Sequence, residues 1–452
     1  MRRLALLLGA DGRKKRVATM KLVQITPGAG GMYCGNCLRD NALVAELRRS
    51  GHEALMLPLY LPLTLDEEDQ SAGAPIFFSG VNVYLEQKFP WLRRMPGWLH
   101  RRLASPRLLR WAAGRAAKTR AEEVGELALS MFKGEDGNQA RELDEMLAWL
   151  RQHIQPEAVC LSNVLLAGLA RRLRRELGCP VISILNGEDS FVDSLPERQR
   201  EPAWRLLKER CRDISAFAAP SRYYAELMSG RLELPPPQVF VVPNGINLRG
   251  FPETPPEPPA APTLGFFARM CREKGLHLLV EAFIEIHRRG KLPQLRLKVG
   301  GGCGPGDAPF VAAQQDRLKK AGVADKAQFF PNLPKTDKIE FLRSLSVFSV
   351  PALYGEAFGL YLIEAMAAGV PVVQPMVAAF PEIVEATGGG LLAPPTSAGL
   401  ADQIETLLLT PEKAQALGRR GQEAVRRQFS AGDMARSFLQ VCQAAQKNFA
   451  NQ

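Results

Sequence analysis

"GEAFGLYLIEAMAAGVPVV", residues 355–373, decides the fold. Its middle carries apolar residues at helical spacing, and "VPVV" is a short apolar run of the kind that forms a strand buried on both faces. Such a stretch has little room for charge, yet it holds Glu356 and Glu364. If a helix begins near Phe358 or Gly359, its first N–H groups lie just past Glu356 and suit an anion such as a diphosphate. Gly359 then lets the backbone approach closely. Glu364, over a turn further in, can accept hydrogen bonds from a ribose diol, and Glu356 can grip the hydroxyls of a sugar. Spacing alone also admits a plainer account, in which a glutamate near a helix start only complements the helix dipole.

Outward from this stretch, short apolar strands alternate with longer helical patterns. "KLVQITP", "EALMLPLY", "EAVCLSN", "PVISILNG", "ISAFAAPS" and "VFVVPNG" come first, then "TLGFFAR", "LRLKVGGG", "AQFFPNL" and "VFSVP". That order predicts an α/β protein with two doubly wound parallel sheets, in which ligands bind beyond the carboxyl ends of the strands. Between Arg249 and Thr263, "RGFPETPPEPPAAPT" has six prolines in fifteen residues and reads as an extended linker and hinge. The predicted boundaries are a disordered extension over 1–19 ahead of Met20, a first domain over 20–248, the linker over 249–263, a second domain over 264–430, and a closing helix over 431–452 that has the option of packing back on the first domain.

Composition narrows the setting. No apolar run is long enough to span a bilayer, and "LALLLGADG" near the start is too short and too broken for a secretory signal. Of eight cysteines only Cys34 and Cys37 lie close together, which argues against a disulfide framework or a four-ligand zinc site and fits a reducing cytoplasm. Their spacing also occurs in thiol redox pairs; packing at a helix start is the plainer reading. The net charge of +11 is concentrated: from Lys88 to Arg120 there are ten Lys or Arg and no Asp or Glu, interleaved with Trp91, Trp98 and Trp111. That mixture suits an anionic membrane surface, the alternative being a solvated basic helical face; no nucleic-acid partner is expected.

Cations for a phosphate group stand in "GFFARMCREKG". Arg269 follows the strand directly, and Lys274 comes five residues later, ahead of Gly275 and a helix. Arginine offers a fork matched to phosphate oxygens and lysine a mobile point charge, although both are equally compatible with solvated positions. The turn "GGGCGPGD" either opens the backbone to a ligand or is a flexible loop.

With "ARMCREKG", "VVPNGIN" and "EAFGLYLIEAMAAGVPVV" in order, the chain resembles the retaining glycosyltransferases of family four from Lys21 to about Phe429. The resemblance implies the GT-B fold, two Rossmann-like domains facing a central cleft. It implies transfer of a sugar from a nucleotide-diphosphate donor, UDP- or GDP-linked, to an acceptor hydroxyl, with retention and with no metal or other cofactor. By that resemblance Arg269 and Lys274 hold the diphosphate, Glu356 contacts the donor sugar, the amides of Phe358, Gly359 and Leu360 cap phosphate and sugar, and Glu364 takes the ribose. Gly30 and Gly31, in "ITPGAGGMYCGNCLRDN", match the family's glycine-rich loop beside sugar and acceptor. Where many relatives carry a histidine, this chain reads Asn186-Gly187-Glu188-Asp189, so Glu188 or Asp189 is expected to orient or deprotonate the acceptor hydroxyl, or else to cap the next helix. The family's Gly-Gly before Pro-Glu reads "VAAFPEIV", which puts the sugar contact around Ala378 to Phe380 in question. The setting implied is cytoplasmic, peripheral on the inner face of a membrane, in cell-envelope polysaccharide or glycolipid synthesis. A nucleotide-sugar epimerase and a non-catalytic nucleotide-sugar-binding protein are the rivals on this fold; a thiol oxidoreductase built on Cys34 and Cys37 is a more distant one.

Overall fold

Two sets of six short strands form two parallel sheets in the computed structural model, which describes residues 6–8, 14–16, 19–28, 35–61, 67–71, 73–78 and 121–450. Ahead of both sheets, β1 (Leu6–Leu8) pairs antiparallel with β2 (Lys14–Arg16). This short ladder lies within the stretch that the sequence assigned to an extension ahead of Met20.

The first compact unit comprises residues 1–220, 224–242 and 434–452. Its sheet uses β3 (Lys21–Thr26), β4 (Glu53–Pro58), β5 (Ala158–Leu161), β6 (Val181–Ile184), β7 (Ala216–Ala219) and β8 (Val239–Val241), in the order β4-β3-β5-β6-β7-β8. Every residue of β5, β6 and β7 is buried, as expected of parallel strands covered by helices on both faces. The helix Gly35–Arg49 is pinned to the end of β5 by a buried pair: Arg39 bonds Asp40 at 2.7 Å and donates to the Ser162 carbonyl at 2.8 Å. The closing helix Ala431–Ala450 joins this unit from Met434 onward, burying Phe438, Val441 and Cys442, with Gln446 donating to the Glu157 carbonyl at 3.3 Å.

Residues 221–223 and 243–433 make the second unit. It holds β9 (Thr263–Phe267), β10 (Arg296–Gly301), β11 (Ala327–Pro331), β12 (Val347–Phe348), β13 (Val372–Pro375) and β14 (Gly390–Ala393), ordered β11-β10-β9-β12-β13-β14. Leu264 of β9 lies beside Leu297 of β10 on one side and Val347 of β12 on the other. The chain runs outward from β9 in both directions, so the loops after β9 and β12 diverge and leave a crevice at this switch point. Phe266, Phe283, Phe348 and Phe380, all fully buried, fill the core beneath it.

The proline-rich stretch differs from its reading as a hinge. The units change over at 242–243, and 249–263 belongs wholly to the second unit. Proline lacks an N–H for a sheet ladder, and three carbonyls at the start of the stretch are taken up by side chains instead. Arg426 donates to the Phe251 and Pro252 carbonyls at 2.8 and 2.7 Å, Gln422 donates to Pro252 at 3.0 Å, and Arg343 donates to Thr254 at 2.9 Å. It is a strap along one unit. Among the described residues no helix is long and apolar enough to cross a membrane, and the basic segment 88–120 lies outside the described residues.

Candidate functional site

Four of the charged residues singled out in the sequence, Arg269, Lys274, Glu356 and Glu364, belong to the second unit. Arg269 stands two residues beyond the end of β9, and Lys274 precedes Gly275, the N-cap of the helix Leu276–Arg289. Gly275 has φ 75°, and a Cβ there would lie 2.0 Å from the Pro351 carbonyl oxygen. Only glycine lets this segment lie against the loop that follows β12. That close approach places the Lys274 amine 2.6 Å from the Glu356 carboxylate and 2.6 Å from the Tyr354 hydroxyl.

Three donors converge on one oxygen, Glu356 Oε2: Lys274, Tyr361 at 2.8 Å and Tyr354 at 3.2 Å. Among the described residues none donates to Oε1. The ammonium also lies 5.1 and 5.4 Å from the ring centroids of Tyr354 and Tyr361. Burial works against the charge on Lys274, but Glu356 and Tyr354 more than offset it and hold the amine above the usual lysine range. Burial, and then the charge of Glu356, push both tyrosine hydroxyls up, so they stay protonated donors.

Arg269 spends two N–H groups on Asp307, at 3.0 and 2.9 Å, and is otherwise largely exposed. Burial of Asp307 opposes its charge, yet the guanidinium and the Gly304 N–H at 3.1 Å outweigh that and hold its carboxyl below the usual range. The glycine-dense turn after β10 is a clipped loop: Asn332 accepts from the Cys303 N–H at 3.0 Å and donates to its carbonyl at 3.1 Å. Gly301 there has φ 121° and lies so close to Ala268 that a Cβ would clash with its carbonyl.

The helix carrying Glu364 begins at Leu360, with Gly359 as N-cap at φ 90°, while Phe358 is buried against Phe429. The Leu362 N–H already bonds the Gly359 carbonyl at 2.9 Å, while by helix geometry those of Leu360 and Tyr361 have no partner four residues back. Glu364, half-buried, pairs with Lys338.

In the first unit the two acidic candidates separate. Glu188 is 1% exposed. Its oxygens accept from the Val164 and Asn186 N–H groups at 3.0 and 2.7 Å and from the Tyr224 hydroxyl at 2.8 Å. Burial pushes its carboxyl up, and these donors pull it only part of the way back. It is a buried brace between the ends of β5 and β6, which corrects the expectation that it meets an acceptor. Asp189, half-buried, shares the Tyr224 hydroxyl at 2.8 Å. Asn186 bonds Asn36 of the first helix. Cys37 is buried at that helix start, within 3.9 Å of the Thr26 hydroxyl. Gly30, Gly31 and Cys34 lie outside the described residues.

Asp307, Lys338, Tyr354 and Tyr361 escaped the sequence reading. Tyr361 was the most findable, since at five positions after Glu356 it falls in the first turn of the same helix. Asp307 closes the glycine turn; Lys338 sits in "KTDKIEF", where nothing marks it.

Comparison with known proteins bears on this arrangement. The model of glycosyl transferases group 1 matches residues 251–424, and that of Glycosyltransferase Family 4 matches 114–249. A phosphatidyl-myo-inositol mannosyltransferase of Mycobacterium leprae is 31% identical over 191 residues, 41% of this chain and 48% of its own. A D-inositol 3-phosphate glycosyltransferase of Kineococcus radiotolerans is 30% identical over 274 residues, 54% of this chain and 61% of its own. The chain thus spans about half the length of these curated relatives. Among solved structures, sucrose-phosphate synthase from Thermosynechococcus elongatus superposes with a TM-score of 0.67 at 19% identity, covering 95% of this chain and 99% of that one. Anabaena HepE, crystallised with UDP and glucose, does so with 0.65 at 16%, covering 93% and 98%. At such identity these two speak for the fold alone, the two-unit GT-B architecture.

Ala378, in the segment where a Gly-Gly was expected, adopts φ 53°, a left-handed conformation costly for a residue with a Cβ. Ala378→Gly is predicted to raise stability by about 1 kcal/mol in urea unfolding, against the usual sign of an Ala→Gly change. A loss of stability would show that the strain is absent.

Proposed function

The chain belongs to the family 4 glycosyltransferases with a group 1 domain, and on that footing we propose that it transfers a sugar from a nucleotide-diphosphate donor to an acceptor hydroxyl, with retention at the anomeric carbon. One observation carries the reading: the Lys274 amine and a Glu356 carboxylate with one oxygen free of donors among the described residues meet beside the start of a helix at the switch point between β9 and β12, and Arg269 stands on the same loop after β9. The curated relatives' names, and the UDP and glucose held by the Anabaena neighbour, support a nucleotide sugar as the donor.

In this reading the diphosphate lies against Lys274, the outward N–H groups of Arg269 and the amides at Gly359 and Leu360. Charge that develops on the leaving phosphate as the glycosidic bond breaks meets donors already in place, so little reorganisation is needed. Glu356 Oε1 accepts from a hydroxyl of the donor sugar and fixes which face of the anomeric carbon is presented. The acceptor attacks on the face the diphosphate leaves, and the departing phosphate oxygen takes the acceptor's proton; no protein nucleophile is required. With Glu188 braced inside the first unit, Asp189 is the acidic residue there that remains to orient an acceptor. The N–H groups of Lys274 and Arg269 not spent on their carboxylates bind the phosphate oxygens in the place a metal would take, and turnover without a metal is part of the proposal. The basic, tryptophan-bearing segment 88–120 holds the enzyme to an anionic membrane surface on the cytoplasmic side, where a lipid-linked or envelope-glycan acceptor is presented.

Incubation with UDP- and GDP-linked α-sugars and a panel of hydroxyl acceptors, followed by proton NMR, should give an α-linked product, unaffected by EDTA. Glu356→Gln should lower kcat by about a hundredfold. A β-linked product would overturn retention, altered sugar released without acceptor would indicate an epimerase, and binding without turnover would indicate a non-catalytic protein. Sedimentation with anionic liposomes should be strong at low salt and fall as salt rises. Unchanged partition after neutralising all ten basic residues of 88–120 would refute the membrane contact.

A further inference from the structure

Lys338 is an unusual lysine for its position. It belongs to the helix Lys335–Arg343, which precedes β12, and its side chain is only 7% exposed. A buried ammonium needs a counter-charge and hydrogen-bond acceptors close by. Its amine bonds Glu364 Oε1 and lies 5.3 Å from the centroid of the Phe267 ring, at the end of β9. That ring is itself fixed by an edge contact with Phe341 at 5.3 Å, and Phe341 meets Phe330 at 5.6 Å. The lysine therefore stands on an aromatic floor with its charge directed at one carboxylate.

The consequence lies in what remains of Glu364. Its side chain is 20% exposed, its Oε1 is occupied by Lys338, and among the described residues no donor reaches Oε2. A glutamate on a helix surface has three side-chain torsions to fix before it can meet a ligand, and each freedom lost on binding weakens the complex. An ion pair that already holds one oxygen removes that cost in advance.

We propose that Lys338 is a positioning residue for the ribose of the donor: it presets Glu364 so that Oε2 accepts from the vicinal 2′- and 3′-hydroxyls. The inference rests on the nucleotide-sugar reading of the same crevice, and extends it to a residue that touches neither phosphate nor transferred sugar. The rival is a purely structural ion pair between the helices Lys335–Arg343 and Leu360–Ala367. That rival predicts an effect on stability that is blind to the sugar of the nucleotide.

The test is a binding cycle by calorimetry on the full chain. UDP, GDP and ADP are titrated first, and the tightest is then compared with its 2′,3′-dideoxy counterpart on the unaltered protein, Lys338→Met and Lys338→Arg. The unaltered protein should favour the ribonucleotide by about tenfold, the scale of hydrogen bonds to a charged group. In Lys338→Met the ratio should fall toward unity while affinity for the dideoxy form holds, and Lys338→Arg should restore part of the preference. If Lys338→Met does not fold, Lys338→Gln carries the same comparison. An undiminished ratio in the neutral variants overturns the role of Lys338 and leaves the ribose contact of Glu364 standing. No ribose preference in the unaltered protein overturns both, and no binding of any nucleoside diphosphate overturns the donor reading from which both follow.

Discussion

A lysine ammonium with little access to water has to keep a carboxylate beside it, and Lys274 keeps Glu356, at 2.6 Å. That contact spans the switch point of the second sheet, from the start of the helix after β9 to the loop after β12. It is possible only because Gly275 presses its backbone against Pro351, and it draws Tyr354 and Tyr361 inward as hydroxyl donors. Removing either charge would strand the other in a partly dry site, a loss larger than that of an exposed pair. The loop geometry, the open helix start and the free oxygen of Glu356 all follow from satisfying this one amine.

The same pattern recurs twice nearby. Arg269 is matched by Asp307 and Lys338 by Glu364, so each of these three cations has its own carboxylate. Local charge is nearly balanced before any ligand arrives. On the proposed reading a nucleoside diphosphate gains less from net charge than from geometry, through the N–H groups of Arg269 and Lys274 not already spent and the amides beyond Gly359. Preformed pairs of this kind hold their side chains still, and stillness counts when the chemistry consists of positioning and charge stabilisation.

Much of this was legible in the chain because it is local. Alternating apolar strands and helices revealed two doubly wound sheets, and "GEAFGLYLIEAMAAGVPVV" set Glu356 ahead of a glycine-started helix and Glu364 within it. What stayed hidden depends on contacts far apart in sequence. Lys338 meets Glu364 from a neighbouring helix, and Asp307 meets Arg269 from the far side of β10. Glu188 looked available because sequence gives no measure of burial; in the fold its two oxygens are filled by donors from Val164, Asn186 and Tyr224. The prolines of 249–263 kept the stretch out of the sheet up to Thr263, where β9 begins, but composition could not reveal that Arg426 and Gln422, from a helix far along the chain, hold the carbonyls of Phe251 and Pro252.

The most direct measurement is a crystal structure of the protein with UDP. The account predicts the diphosphate within hydrogen-bond distance of the Lys274 amine and of the amides at Gly359 and Leu360, with the Lys274–Glu356 contact intact and the ribose hydroxyls on Glu364. Nucleotide density lodged in the first unit, or a diphosphate that leaves Lys274 and the helix start untouched, would contradict it.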